Sequence, residues 1–280
     1  MKPYIMVAYC SPSGSTRQVV DVIKTELKRL GYEAIDLDLG KERDWTATLN
    51  RIEMVRGKLC LFIGSPVYVS RAVPPVMEFI AALPEVTNSY AVPFAVWGGV
   101  TSGVCLWEMG EALSSKGFTI AGAAKVTGSH SLMWRSENPV GQGHPDEDDD
   151  DVMRKLVSTV YKRINDGHVR PIGIETLDYQ PEPRVIHMKK TVLRTALEQF
   201  PQKTVDQEKC TQCGICQEEC PTNAITLIPY PEFSDSCFAC FSCVRLCPED
   251  AIEADLVQLE QLIRKNAEAI NERPLTQAFI

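Results

Sequence analysis

The sequence predicts an α/β protein: a doubly wound, five-stranded parallel sheet of order 2-1-3-4-5, followed by a small cysteine-rich module. Three observations carry this. Over residues 1–165, short apolar runs alternate with segments of helical spacing, the pattern of parallel strands covered by helices on both faces. Eight of the 11 cysteines fall between 210 and 247. Between these parts, 166–204 is polar and carries Pro171, Pro181, Pro183 and Pro201.

The elements follow in order. Residues 3–9 are apolar and read as a first strand. Residues 15–30 place Val19, Val20, Ile23, Leu27 and Leu30 at helical spacing and stop at Gly31. Residues 33–39 form a second strand, and 58–63 (KLCLFI) a third of the central type. A helix over 76–83, a fourth strand over 92–97, a helix over 103–116 ended by Gly117 and a fifth strand over 119–126 follow. The last helix of this part, 150–164, is preceded by the acidic run HPDEDDDD (144–151), a solvated helix start favoured by the helix dipole. The expected domains are 1–165, a linker over 166–202 with a short helix near 186–199, the cysteine module over 203–255, and a C-terminal part (256–280) built on an amphipathic helix near 255–271.

Charge is unevenly spread. Residues 205–255 hold ten acidic and two basic residues, so this segment carries the whole net charge of −8. That disfavours nucleic acid and suits docking to a basic protein surface; a solvated face has the same composition. There is no basic stripe and no helix-turn-helix pattern. No apolar run is long enough for a membrane span, and the first apolar run reads as a strand rather than a signal peptide, so a cytoplasmic, thiol-reducing setting is expected.

The cysteines form an internal repeat. CTQCGICQEECP (210–221) and CFACFSCVRLCP (237–248) share the spacing C-x2-C-x2-C-x3-C-P, and Ala-Ile follows each proline at the same distance. Three cysteines at this spacing wrap one face of an iron–sulfur cubane, and the fourth reaches the other cubane. The expected ligand sets are therefore Cys210, Cys213, Cys216 and Cys247 for one [4Fe–4S] cluster, and Cys237, Cys240, Cys243 and Cys220 for the other. One C-x2-C alone would equally suit zinc; two copies of the full spacing do not. Gly214 follows the second cysteine of the first copy and Phe241 that of the second; Phe238 and Phe241 either shield a cluster or simply pack a small core.

After the first strand comes CSPSGST (10–16), a hydroxyl-rich turn leading into a helix. Backbone N–H groups and the helix dipole favour an anion there, although Ser and Thr also cap helices for structural reasons alone. No lysine follows, so this is not a Walker A loop, and no strand-GxGxxG-helix fingerprint occurs, so no nicotinamide domain is expected.

The S-x-S-G-S-T pattern resembles the FMN-phosphate loop of flavodoxins. With the G-x-P-V-Y run at Gly64–Tyr68, the pair His130 and Ser131, and the cysteine repeat, the chain resembles flavodoxin–ferredoxin fusions, a family mainly of anaerobes. The cysteine segment is similar to bacterial two-cluster ferredoxins, whose fold is a small α+β module. The resemblance covers roughly 1–165 and 203–255 and implies FMN and two [4Fe–4S] clusters. It implies that Ser11, Ser13, Gly14, Ser15 and Thr16 hold the flavin phosphate, and that Pro66, Val67, Tyr68, Val69, Gly98, Gly99 and Val100 line the ring. Tyr68 and Trp97 are stacking candidates, or core residues. His130 reads as a structural histidine, and Cys10, Cys60 and Cys105 as packing residues, with Cys105 a lesser redox candidate near the flavin loops. No catalytic residue is assigned.

The expected function is an electron relay between FMN, the two clusters and a redox protein docking at the acidic face. Two alternatives stand beside it. One is an FMN-dependent reductase of a small organic substrate (a quinone, nitro compound or activated alkene) fed by the clusters. The other is an iron–sulfur redox sensor whose larger domain is a docking module without flavin. The sequence does not give the oligomeric state.

Overall fold

The computed structural model describes residues 3–55 and 58–280. The first part runs β1 (Tyr4–Tyr9), α1 (Ser15–Arg29), β2 (Ile35–Asp38), α2 (Thr46–Glu53), β3 (Leu59–Tyr68), β4 (Arg71–Ala72), α3 (Pro74–Ala82), β5 (Ser89–Trp97), α4 (Cys105–Ser115), β6 (Phe118–Ile120), β7 (Ala123–Thr127) and α5 (Glu147–Asp166). Three short helices follow, α6 (Ile174–Leu177), α7 (Glu182–Lys190) and α8 (Leu193–Leu197). The cysteine module contains β8 (Thr204–Val205), α9 (Ile215–Glu218), β9 (Ile225–Leu227), β10 (Pro231–Phe233), α10 (Ser242–Arg245) and β11 (Ile252–Glu253). The chain closes with α11 (Val257–Ile270) and β12 (Gln277–Phe279).

The main path of the large sheet is β12-β7-β5-β3-β1-β2, with β4 and β6 pairing off it. Its five long members are parallel in the order β2-β1-β3-β5-β7, which is the expected 2-1-3-4-5 arrangement. Side chains alternate between two cores as the strand period demands. Met6 and Ala8 of β1 and Leu61 and Ile63 of β3 face the side of α3 and α4, with Phe79 and Leu106. Val7, Tyr9 and Phe62 face the side of α1 and α5, with Ile23 and Leu156. α1 buries Val19, Val20, Ile23 and Leu27 on that second face. Each such side chain, once fully buried, contributes roughly 1.5–3 kcal/mol. The acidic run does start a helix: Asp146 caps α5 by accepting from the Asp148 and Asp149 amides, and Asp149 accepts in return from the Asp146 amide.

The structure differs from the sequence expectation in five places, the first being α2, which lies where no helix is expected. The fifth strand is two pieces, because α5 approaches the sheet at Gly122, where a Cβ would stand 2.8 Å from Leu156. β3 runs on to Tyr68, so the 64–68 motif is strand rather than loop; the chain then turns through Val69 and Ser70, both at positive φ, into β4. The linker holds three short helices instead of one. Beyond α11 the tail returns to the large sheet, where β12 pairs antiparallel with β7 from Gln277↔Lys125 to Phe279↔Ala123.

The tail is fastened by a buried polar network. Lys125, 1% exposed in its side chain, donates to Glu272 Oε1 at 2.6 Å. Glu272 Oε2 accepts from Thr101 Oγ1 (2.8 Å), the Ser102 amide (3.0 Å) and Gln180 Nε2 (3.0 Å). Trp97 Nε1 donates to the Leu275 carbonyl at 3.0 Å, and Thr127 Oγ1 donates to the same carbonyl at 2.7 Å. The cysteine module is thus held through the linker on one side and through the tail on the other.

Candidate redox site

The carboxyl ends of β1, β3 and β5 open a cleft at one edge of the sheet, where ligands bind in such folds. Ser13, Ser15 and Thr16 form one end, Pro66, Val67, Tyr68 and Val69 one wall, Trp97 and Gly98 the floor, and residues 128–132 the opposite wall. Phe200, Leu259 and Ile263, from the linker and α11, close it from the side of the cysteine module. No residue lining the cleft, among those described, is a carboxylate, ammonium or guanidinium.

The hydroxyl end fits a phosphate. Gly14, at φ 96°, turns the chain into α1 and brings no side chain to cap it. The first-turn amides and the Ser13, Ser15 and Thr16 hydroxyls supply donors to an anion, and the dipole of the 15-residue helix adds to them. Ser11 is placed differently: its Oγ accepts from the Arg17 amide at 2.9 Å, which orders the loop. Arg17 itself is paired to Asp38 at 2.7 Å.

The wider end is set by close backbone approaches. A Cβ on Gly98 would lie 2.7 Å from the His130 ring, and one on Gly103 would lie 2.1 Å from the Ser70 carbonyl oxygen, which accepts from the Val104 amide at 2.8 Å. The loops after β3 and β5 are locked together by that contact. Tyr68 OH and Ser131 Oγ are hydrogen-bonded at 2.9 Å. Burial lowers the His130 pKa to about 4, so its imidazole is neutral; Nδ1 accepts from the Leu132 amide at 3.3 Å. Gly99 and Val100 do not line the cleft. Gly99 lies against Val140 and Gly141, and Val100 packs on the core of the cysteine module. Trp97 lines the cleft but is pinned beneath the tail by its bond to Leu275. The sequence reading missed Gly128, Ser129 and Leu132, beside the His130–Ser131 pair it had noted, and missed Phe200, Leu259 and Ile263 altogether.

The repeat places its eight thiols in two groups. Cys210, Cys213, Cys216 and Cys247 line one cavity. Cys220, Cys237, Cys240 and Cys243 line another. The fourth cysteine of each motif therefore faces the first three of the other. Each fourth sulfur accepts the amide four residues on: Ala224 N to Cys220 Sγ and Ala251 N to Cys247 Sγ, both 3.2 Å. No disulfide joins any of the 11 cysteines, and soft sulfur donors in groups of four fit an iron–sulfur cluster. Cys10, Cys60 and Cys105 are fully buried in the large domain, and burial pushes all three thiols up, Cys60 to about 12.

The two cavities relate differently to the cleft. Phe238 meets Tyr68 edge to face at 5.3 Å between ring centroids, and Cys240 packs on the core of the large domain. Ser242 Oγ donates to the Pro12 carbonyl at 3.1 Å, and Arg245 donates to the same oxygen. The second thiol group is thus bonded to the hydroxyl loop itself. The first group faces outward: Cys213 is exposed, Glu249 borders its cavity, and Glu208, Asp250 and Glu253 are exposed close to it in sequence.

Comparison with known proteins bears on both halves. The 4Fe-4S binding domain family matches residues 203–226. Ferredoxin-1 of Chlorobaculum tepidum is 42% identical over 53 residues, covering 16% of this chain and 86% of that protein. The chain belongs to the 4Fe-4S ferredoxin family. The polyferredoxin protein MvhB of Methanothermus fervidus is 39% identical to the ferredoxin segment over 62 residues, 22% of this chain, which spans only 15% of that relative. Among solved structures, the rubredoxin oxygen:oxidoreductase of Desulfovibrio gigas overlaps 59% of this chain and 37% of its own, with TM-score 0.47 and 17% identity. A flavodoxin from the domain Archaea overlaps 58% of this chain and 99% of its own, with TM-score 0.43 and 14% identity. The strand order, rather than these overlaps, assigns the flavodoxin-like fold. The chain joins a flavodoxin-like fold to a ferredoxin segment. No helix among the described residues is long and apolar enough to cross a membrane.

Proposed function

We propose that the protein is an internal electron relay of three centres. FMN occupies the cleft, one [4Fe–4S] cluster is held by Cys220, Cys237, Cys240 and Cys243 beside it, and a second is held by Cys210, Cys213, Cys216 and Cys247 at the outer surface. The observation that carries this reading is the bonding of the Cys237–Cys243 loop to the hydroxyl loop and to Tyr68, the two elements that border the cleft. Bound, the flavin supplies exchange between paired and single electrons, and the clusters supply one-electron storage.

The chain's own residues hold, seal and orient. Ser13, Ser15 and Thr16 take the phosphate dianion through neutral donors. Phe200, Leu259 and Ile263 exclude water from the side that faces the ferredoxin module. These apolar side chains on the side of the ferredoxin module favour a relay over a reductase. Ser242 and Arg245 fix the nearer thiol group against Pro12. At the other end, exposed Cys213 amid Glu208, Glu249, Asp250 and Glu253 suits contact with a basic surface on a redox protein.

Thr16→Val tests the phosphate assignment. The change is close to isosteric at a residue 1% exposed and removes one hydroxyl donor to a charged group, worth about 1.5–3 kcal/mol. FMN affinity, measured by flavin fluorescence on adding FMN to the flavin-stripped protein, is expected to fall roughly 10- to 100-fold, with iron content unchanged. Unchanged affinity would remove Thr16 from the site, and loss of iron with full flavin binding would contradict the division of labour between the domains.

A further inference from the structure

We infer that Lys203 raises the reduction potential of the flavin-side cluster above that of the outer one, so that the two chemically equivalent centres fill in a set order. The inference rests on the relay reading above.

An ammonium bonds directly to the flavin-side thiols, and the neighbouring acids Glu219 and Asp235 are each paired, to Lys41 and Arg194. Lys203 Nζ stands 3.4 Å from Cys237 Sγ, the donor of an N–H···S bond to a proposed cluster ligand. The ammonium lies between the rings of Phe233 and Phe241, 5.0 Å from each centroid, which holds it in place and keeps it partly out of water. Arg43 donates to the Cys220 and Glu218 carbonyls, and Arg245 follows Cys243 closely in α10. The outer group is bordered by acids. Glu249 borders its cavity, and Glu208 and Asp250 are exposed beside it. Its nearby bases are both engaged, Lys209 with Asp206 and Glu253 and Arg135 with Asp250.

The repeat makes the asymmetry specific. The same step along the chain that carries Cys210 onto Cys237 carries Lys203 onto Tyr230. In the register of the repeat, one half has a lysine where the other has a tyrosine. Taking up one electron makes a cluster one unit more negative, with no bond made or broken. A fixed positive charge and an N–H···S bond both stabilise that state, and carboxylates oppose it. Electrons consequently settle on the cluster beside the flavin, and leave by the outer one only when a partner draws them.

The test is a potentiometric titration of the holoprotein with a chemical reductant, following cluster reduction by electron paramagnetic resonance after iron has been counted. The flavin-side cluster is identified as the signal lost in Cys240→Ser. Lys203→Met is expected to lower the midpoint of that signal by at least a ten-fold change in its reduction equilibrium, about 59 mV for one electron, and to leave the other signal in place. Lys203→Arg keeps the charge and is expected to stay near the parent. Should Lys203→Met lose iron, Lys203→Gln carries the same expectation. About eight irons per chain, the content of two [4Fe–4S] clusters, with an unmoved midpoint overturns the role of Lys203 and leaves the relay standing. A shift of the outer signal instead also overturns it. Markedly fewer irons in the parent protein overturn the two-cluster reading, and this inference with it.

Discussion

Cys220→Ser is expected to cost the protein the cluster of the other motif rather than its own. Cys220 closes the first C-x2-C-x2-C-x3-C run in sequence, yet its side chain lines the cavity of Cys237, Cys240 and Cys243. A serine hydroxyl is a poor substitute for a soft thiolate at iron. Iron is expected to fall from about eight to about four per chain, and the surviving signal should be that of the outer cluster. The ferredoxin module is small, with two-stranded sheets and short helices, so cluster binding is part of its folding free energy and its stability should fall as well. Cys213→Ser should do the converse, removing the outer cluster and sparing the one bonded to the hydroxyl loop. The measurement is iron analysis with resonance spectra of both variants. If Cys220→Ser instead abolished the signal that Cys213→Ser also abolishes, the crossed ligation would be wrong.

Glu272→Gln is expected to be the most damaging single change away from the redox centres. The substitution leaves the Lys125 ammonium, almost wholly buried, without its counter-charge, which costs about 3–5 kcal/mol. In a chain of this size that is a fall in melting midpoint of roughly 10 °C. Replacing both partners by apolar residues of similar volume, Lys125→Met with Glu272→Leu, should recover much of the loss, because no charge is then left buried alone. Acid should mimic the single variant. Burial pushes the Glu272 carboxyl up, but hydrogen bonds from Lys125, Ser102 and Gln180 outweigh it, so the folded value lies below the usual 4.5. The unfolded chain therefore binds this proton more readily. The stability from Glu272 is complete above 4.5 and is lost as pH falls through the depressed folded value. Thermal melts of the parent and of Glu272→Gln between pH 7 and 3 check both statements. A variant with parental stability and an unchanged acid limb would show that the tail is not fastened through this pair.

The legible parts of the chain were those with local periods. The continuous apolar run in 58–63 and the helical spacing of Val19, Ile23 and Leu27 give strand and helix, and their alternation gives a parallel sheet. The cysteine spacing is a local geometry of the same kind. What was not legible depends on partners far apart in sequence. Lys125 sits in a strand that is otherwise apolar, which signals a buried partner, but Glu272 is 147 residues away and its neighbourhood has no pattern that names it. β12 is three residues long, too short for any period to register. The apolar face of α11 was visible, but that Leu259 and Ile263 cover the cleft depends on the docking of the ferredoxin module, as does the role of Phe200. Gly99 and Val100 were carried by resemblance alone, and in this chain they turn toward residues 140–141 and the ferredoxin core.

In this chain flavin and clusters are expected to be in electronic contact. The most direct measurement is anaerobic purification with flavin and iron counted per chain, followed by stepwise reduction under optical and resonance spectroscopy. About one FMN and about eight irons per chain are expected, with flavin and cluster signals changing in linked steps. About eight irons with no flavin retained on adding FMN, or a flavin that reduces with no response from either cluster, would contradict it.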